Sequence, residues 1–347
     1  MLRTGLLAEE AEITLPAGEK VVFTLHGQQF DEHSASCYVV KDAGDDPDVT
    51  NGAEIHVTLR REQPKNLKGQ TMVFVLGGAG VGRVTKPGLA VAVGEPAINP
   101  VPLRMITATV KEEFSVVCLP QILYVTVSIP NGAELAKKTL NERLGIIGGL
   151  SILGTTGIVR PISAAAWTDT IDTAISVALA CGSRTVVLST GRTSELVAQN
   201  WLKAQGAGHE EDLPEEAYVM MGDYVGHALR ACRAKGVRQI VLAGQFAKLL
   251  KIACGHEQTH VSSSELDLQL LAKWLADDAD TAKFAAFAQS ANTARQLLVD
   301  SGNDPALIRL VCGRAQAAAE RLAPGLVVKV LLAGYNSEEL YFTDFNY

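Results

Sequence analysis

Arg184-Thr185-Val186-Val187-Leu188-Ser189-Thr190-Gly191-Arg192 runs a short β-branched stretch straight into a polar turn. The stretch 184–188 is predicted as a strand, and 192–204, directly after the turn, as a helix. The alternation repeats outward from there. Residues 168–180 place Ala, Ile and Val at helical spacing, 217–221 form a strand, 225–235 a helix and 239–242 a strand. Strands separated by single helices must run parallel, because a crossover helix returns the chain to the same end of the sheet. The expected unit is an open α/β sheet with helices on both faces.

Such sheets bind ligands outside the carboxyl ends of their strands. Those ends are Ser189-Thr190-Gly191-Arg192, Gly222-Asp223-Tyr224-Val225-Gly226 and Gly244-Gln245-Phe246-Ala247-Lys248. Each opens a helix whose free N–H groups receive anions. Ordinary βα turns share this composition, so a ligand crevice and plain connections both remain open. Downstream come a loop at 255–264 with His256, Thr259 and His260, a helix at 265–276 and Ala- and Leu-rich helices over 281–322. A last strand is predicted at 327–332. The tail 337–347 mixes acids with aromatics and is expected to dock on the body or on a partner.

Upstream the rhythm is that of strands. Runs at 12–15, 20–25, 36–40, 54–59, 71–76 and 123–129 are bounded by Pro16-Ala17-Gly18, Asn51-Gly52 and residues 66–69. Glu54-Ile55-His56-Val57-Thr58-Leu59 alternates, which suits a sheet with one wet face and puts His56 on that face. The predicted class is a multidomain α+β chain. It has a β-rich domain over 1–145, a Gly-rich hinge over 146–163, an α/β domain with a mostly parallel sheet over 164–336, and the tail. The glycines of 145–157 lack the Gly-Lys-Ser/Thr ending of a nucleotide loop and suit a hinge or a close-packed crossing between domains. Gly78-x-Gly80-x-Gly82 follows a strand, but Arg83 to Pro87 cannot open a good helix, so it is a poor dinucleotide fingerprint.

At 347 residues the chain is comfortable for two domains, and 47% of it is hydrophobic. No apolar run reaches the ~18 residues of a spanning helix, and the start lacks a signal peptide's apolar stretch. Cytoplasm is the expected compartment and no membrane the expected setting. Cys37, Cys118, Cys181, Cys232, Cys254 and Cys312 form no CxxC pair, which favours buried thiols over a metal site. A net charge of −7 argues against nucleic acid. In Lys41-Asp42-Ala43-Gly44-Asp45-Asp46-Pro47-Asp48-Val49-Thr50, crowded carboxylates broken by Gly and Pro must form a turn. It coordinates a cation, bonds hydroxyls, or is simply solvated.

Four further segments sharpen this. They are Gly77-Gly78-Ala79-Gly80-Val81-Gly82-Arg83-Val84-Thr85-Lys86-Pro87-Gly88-Leu89 and Val93-Gly94-Glu95-Pro96-Ala97-Ile98-Asn99-Pro100-Val101-Pro102. Ile129-Pro130-Asn131-Gly132-Ala133-Glu134-Leu135-Ala136-Lys137-Lys138-Thr139 and the stretch from Leu144 to Val159 follow. In order and spacing, from about Cys37 to about Asp267, the chain resembles the cobalt-precorrin-5B (C1)-methyltransferases of anaerobic cobalamin biosynthesis, the CbiD family. Thr190-Gly191-Arg192 with Glu195, the turn from Gly222 to Gly226, Lys248-Leu249-Leu250-Lys251 and Thr259-His260 extend the likeness. Gln245 and Ala247 stand where the family carries His and Gly, and Val261 and Ser263 where it carries Ser and Arg. Family members open with Gly-Tyr-Thr-Thr-Gly and an Ala-rich helix, whereas Arg3-Thr4-Gly5 leads straight to Leu6-Leu7-Ala8. A segment is therefore expected to be absent, and a non-catalytic corrinoid carrier is the alternative reading.

The resemblance implies methyl transfer from S-adenosyl-L-methionine to C1 of a cobalt corrinoid, with cobalt present only as part of that substrate. A sulfonium methyl is already activated, so the work is alignment, which can recover about 7–11 kcal/mol of barrier. Asp42, Asp45, Asp46, Asp48, Gly222 and Asp223 are the candidates for the cofactor. Arg83, Lys86, Arg104, Lys137, Thr155, Thr156, Arg192, Lys248 and Lys251 are those for the polycarboxylate macrocycle, which an acidic protein must meet with local cations. Lys248 and Lys251, three apart, share a helix face that is either a crevice edge or plain solvated surface. His260 is the titrating group suited to proton transfer, or a structural histidine. The small-molecule corrinoid is the expected partner, with a homodimer and transient contacts to neighbouring cobalamin-pathway enzymes also compatible with the reading.

Overall fold

Period-two alternation governs the first part of the chain, and it folds accordingly. The computed structural model describes residues 1–63, 70–115, 120–154, 157–158, 164–206 and 213–343. The chain divides into two units, Met1–Ser163 and Ala164–Tyr347. In the first, β1 (Glu10–Thr14) and β2 (Lys20–Thr24) form an antiparallel hairpin. Then come β3 (His26–Phe30), β4 (Ser34–Val40), β5 (Glu54–Glu62), β6 (Met72–Gly77), β7 (Arg83–Val84), α1 (Pro100–Phe114), β8 (Ile122–Ser128), α2 (Gly132–Ala136) and β9 (Ile146–Ile147). Strands β3-β4-β5-β8-β6 make one sheet in that order, antiparallel except for the β8–β6 pair. Leu123, Val125 and Val127 are buried while Tyr124 and Thr126 between them are not. Leu123 and Ala35 pack with Phe114 of α1, so that helix covers one face. Burying such a side chain is worth about 1.5–3 kcal/mol.

Five elements of this unit, β3, β7, α1, α2 and β9, escape the sequence reading. α1 lies in a stretch expected to be β-rich, where Pro96, Pro100 and Pro102 look like breakers. Pro100 and Pro102 sit in its first turn, where a missing N–H costs nothing. β3 has weak strand composition, and its pairing with β4 holds it in place.

The Gly-rich segments have a packing role. Gly80 O accepts from Leu150 N at 2.9 Å, Gly82 N donates to Leu150 O at 2.8 Å, and Ala79 O accepts from Ile129 N at 2.8 Å. Three backbone segments meet here with no room between them. A Cβ on Gly80 would overlap Ile129 O, and one on Gly132 or Gly149 would overlap Gly80 O. Gly80 also holds φ at +73°, a region L side chains avoid. The stretch read as a hinge therefore begins inside the first unit. β9 pairs with β7, and Leu150 and Ile152 bridge to Val81 and Ile98.

The second unit comprises α3 (Ala164–Ala180), β10 (Thr185–Ser189), α4 (Arg192–Gly206), β11 (Tyr218–Met220), α5 (Val225–Lys235), β12 (Gln239–Gln245), α6 (Phe246–Ala253), α7 (Leu268–Ala276), α8 (Ala285–Ser290), α9 (Ala294–Asp300), α10 (Pro305–Leu322), β13 (Val327–Ala333) and β14 (Glu339–Phe342). The sheet order is β11-β10-β12-β13-β14, parallel throughout except for β14. Val186 and Leu188 face α3, α5, α6 and α10, while Val187 faces α4 with Tyr218, Val241 and Leu331. The strands are thus apolar on both sides, as a parallel sheet between helices requires. The tail docks on the body as β14, where Phe342 meets Trp201 with ring centroids 3.9 Å apart. Lys329 is buried beside Phe342, and desolvation brings its ammonium down to about 8. Cys232 and Cys312 are core thiols pushed upward by desolvation. No described helix is long and apolar enough to cross a membrane.

Replacing Gly80 with Ala combines a backbone clash with left-handed strain, and should cost more than about 3 kcal/mol of stability. Denaturant unfolding at neutral pH measures it.

Candidate functional site

Parallel pairing brings the ends of β10, β11 and β12 to one edge. α4 leaves β10 toward one face of the sheet and α6 leaves β12 toward the other. Such diverging connections mark the topological switch point of the sheet, the place where open α/β sheets bind their ligands. The backbone here is close-packed. Thr190 N donates to Ala243 O at 3.0 Å, and a Cβ on Gly244 would lie 3.1 Å from Leu249 and 3.4 Å from Thr190 Cγ2. At the start of α4, exposed Arg192 donates to Glu195 Oε1 at 2.8 Å, and Glu195 itself is fully buried in the first turn of that helix. An anion there faces helix N–H groups and a guanidinium together.

Along the same edge, Asp223, Lys248, Lys251 and Thr259 form one knot. Asp223 Oδ1 accepts from Lys248 Nζ and, at 2.6 Å, from Thr259 Oγ1. Lys248 and Lys251 each donate to the Thr259 carbonyl at 3.1 Å, and Thr259 N donates to Asp223 O at 3.0 Å. The knot pins the loop carrying His260 against the sheet edge. Partial burial pulls the Asp223 carboxyl upward, but the bonds from Lys248 and Thr259 outweigh it and hold it below the usual carboxylate range. Lys251 is 8% exposed, and burial and the neighbouring Lys248 charge depress its ammonium. It serves the loop, not solvent. His260 is exposed, with Nδ1 at 2.7 Å from Ser262 Oγ.

The first unit disperses its candidates. Asp48 is a structural tie, bonded to Lys41 and accepting from Thr50 N at 2.8 Å and Thr50 Oγ1 at 2.7 Å. Partial burial raises its carboxyl, but Lys41 and Thr50 prevail and lower it. Asp42 accepts from Gly44 N at 2.8 Å, whereas Asp45 and Asp46 make no side-chain bond among the described residues. No described His, Cys, Asp or Glu group is arranged to hold a metal ion. Arg83 donates to the Gly94 carbonyl, Lys86 packs against Gly145, Arg104 lies exposed on α1, and Lys137 pairs with Glu134 at 2.8 Å. Thr155 and Thr156 lie outside the described residues. Trp167 at the start of α3 escapes the sequence reading, although a Trp opening the α/β half of a chain with 5% aromatics is itself a signal. Its indole N–H donates to Met221 O at 3.1 Å, and the ring packs on Gly222.

Fold and site together define a two-unit α+β protein whose second unit gathers polar βα turns at the carboxyl edge of a mostly parallel sheet. A family model described as CbiD matches residues 1–161. The chain is 72% identical over 342 residues to the cobalt-precorrin-5B C(1)-methyltransferase of Geobacter sulfurreducens, covering 99% of this chain and 93% of that protein. It is 68% identical over 343 residues to the protein of the same name from Geobacter metallireducens, with the same coverage. A crystal structure of the cobalamin biosynthesis protein CbiD from Archaeoglobus fulgidus is 24% identical, covers 72% of each chain and superposes with a TM-score of 0.33. The chain belongs to the cobalt-precorrin-5B C(1)-methyltransferase family.

Two outcomes follow from the site geometry. Asp48→Asn should cost about 1–3 kcal/mol through its lost charge-assisted bonds, while Asp45→Asn with Asp46→Asn stays within about 0.5 kcal/mol. Thermal melts of the variants separate them. For Asp223 the folded-state carboxyl lies below the reference of 3.8. Its contribution is complete above that reference and is lost as pH falls through the depressed value. The stability gap between wild type and Asp223→Asn should therefore shrink on acidification, as urea melts at descending pH would show.

Proposed function

We propose that this protein transfers a methyl group from S-adenosyl-L-methionine to C1 of cobalt-precorrin-5B, giving cobalt-precorrin-6A in anaerobic cobalamin biosynthesis. The observation that carries the proposal is 72% identity across 99% of the chain to a protein bearing that name. The polar groups at the carboxyl edge of the sheet support it chemically. A sulfonium donor supplies a methyl that needs no further activation, so the protein's task is to hold two partners in line and exclude competitors.

The residues at the edge suit that task. Asp223 keeps its charge over the whole physiological range and has Oδ2 without a hydrogen bond among the described residues, which suits ribose hydroxyls or a cationic donor. Gly222 brings the backbone in beside it. The acidic loop offers Asp45 and Asp46, with Asp42 and Asp48 shaping it. Arg192 and Lys248 at the sheet edge are assigned to the acetate and propionate groups of the macrocycle, and Arg83, Lys86, Arg104 and Lys137 keep that assignment from the family likeness. Thr155 and Thr156 keep their assignment from the family likeness. His260, whose Nε2 makes no hydrogen bond among the described residues, is assigned any proton released after methylation.

Incubation with cobalt-precorrin-5B and methyl-labelled S-adenosylmethionine should place label on C1 of the corrinoid. An unlabelled corrinoid beside an active control overturns the assignment.

A further inference from the structure

Trp167 presents a partly exposed aromatic ring at the carboxyl edge, fastened by a hydrogen bond and by packing. The indole N–H is committed to Met221 O at 3.1 Å. One side of the ring lies on Gly222, where a Cβ would sit 3.2–3.3 Å from Cζ2, Cε2 and Nε1. Gly222 has φ +57°, and both it and Met221 donate their N–H to Ser189 O, at 3.2 and 3.0 Å. The ring therefore stands at the ends of both β11 and β10. Even so fastened, Trp167 remains 42% exposed. The other tryptophans have aromatic or cationic neighbours on their rings, Phe342 for Trp201 and Arg314 for Trp274.

One residue beyond Gly222, Asp223 gives Oδ1 to Lys248 and Thr259 and leaves Oδ2 without a hydrogen bond among the described residues. A fixed aromatic surface thus lies one residue from a fixed, ionised carboxylate. This pair matches the two ends of a nucleoside, a flat base and a ribose diol. A π-face accepts any flat ring, and a carboxylate accepts from paired hydroxyls. The polycarboxylate macrocycle fits the pair less well, since its acid groups would meet the Asp223 charge.

We propose that Trp167 and Asp223 form a nucleoside subsite, in which the indole stacks the adenine of the methyl donor and Asp223 Oδ2 accepts from its ribose. The inference rests on the donor assigned under the proposed function and adds Trp167 as the residue that orients it. Gly222 is then explained twice over, by the ring on its surface and by the turn that carries Asp223 past it.

The test is binding of S-adenosylhomocysteine, the unreactive product, followed by calorimetry and by tryptophan emission. Wild type should bind it with a change in emission that is missing in Trp167→Phe, and adenosine should compete. Trp167→Ala should raise the dissociation constant about tenfold or more, while Trp167→Phe, which keeps a π-face, raises it less than about threefold. Should Trp167→Ala not fold, Trp167→Leu carries the same expectation, with melting curves as the check. Wild-type affinity in the Ala or Leu variant overturns the subsite even if methyl transfer proceeds. Failure of wild type to bind the product also overturns it. Normal binding with loss in the variants, but no label on the corrinoid, upholds the subsite and rejects the assigned reaction.

Discussion

Parallel pairing of β10 with its neighbours β11 and β12 is the constraint on which the second unit depends. Once strands run the same way, every connection that follows a strand must begin at one edge, and every crossover must cover a face. The strands are then buried on both sides, which is why Val186, Val187 and Leu188 have no exposed surface. The divergence of α4 and α6 follows from the strand order. Six of the sequence-derived candidates, Arg192, Gly222, Asp223, Lys248, Lys251 and His260, reach this edge because of that geometry and not because they are near in sequence.

Polar groups at the edge are organised by neutralisation. A carboxylate partly removed from water needs donors, and Asp223 finds them in Lys248 and Thr259. Lys251 in turn would be costly to bury without an acceptor, and the Thr259 carbonyl supplies one. The loop that ends at His260 is thus placed by electrostatic necessity. The same principle operates at Asp48, where Lys41 and Thr50 convert one member of an acidic cluster into a structural tie while Asp45 and Asp46 stay in solvent.

In the first unit steric exclusion does the corresponding work. Gly80, Gly132 and Gly149 let three backbone segments touch, and any side chain at these positions would separate them. Glycine clusters in a sequence often suggest mobility or phosphate binding. Here their density measures how closely the chain passes itself.

The sequence by itself determined the element alternation from residue 164 onward, the parallel sheet that alternation enforces, and the edge at which its polar βα turns gather. These follow from local periodicity and from the rule that a crossover returns to the same end. It also carried the family, because the long Gly- and Pro-rich segments are compositionally rare. Only the tertiary structure decided which candidate charges are spent. Asp48 looks like Asp45 along the chain, yet only Asp48 is tied inward, and Lys248 and Lys251 are both drawn to the Thr259 carbonyl, since burial and partners depend on segments that no local pattern brings together. α1 was hidden by prolines whose meaning depends on lying in the first turn of a helix. Trp167 became a site residue only when Met221 and Gly222 came to lie against its ring, a contact across more than fifty positions that no local pattern encodes.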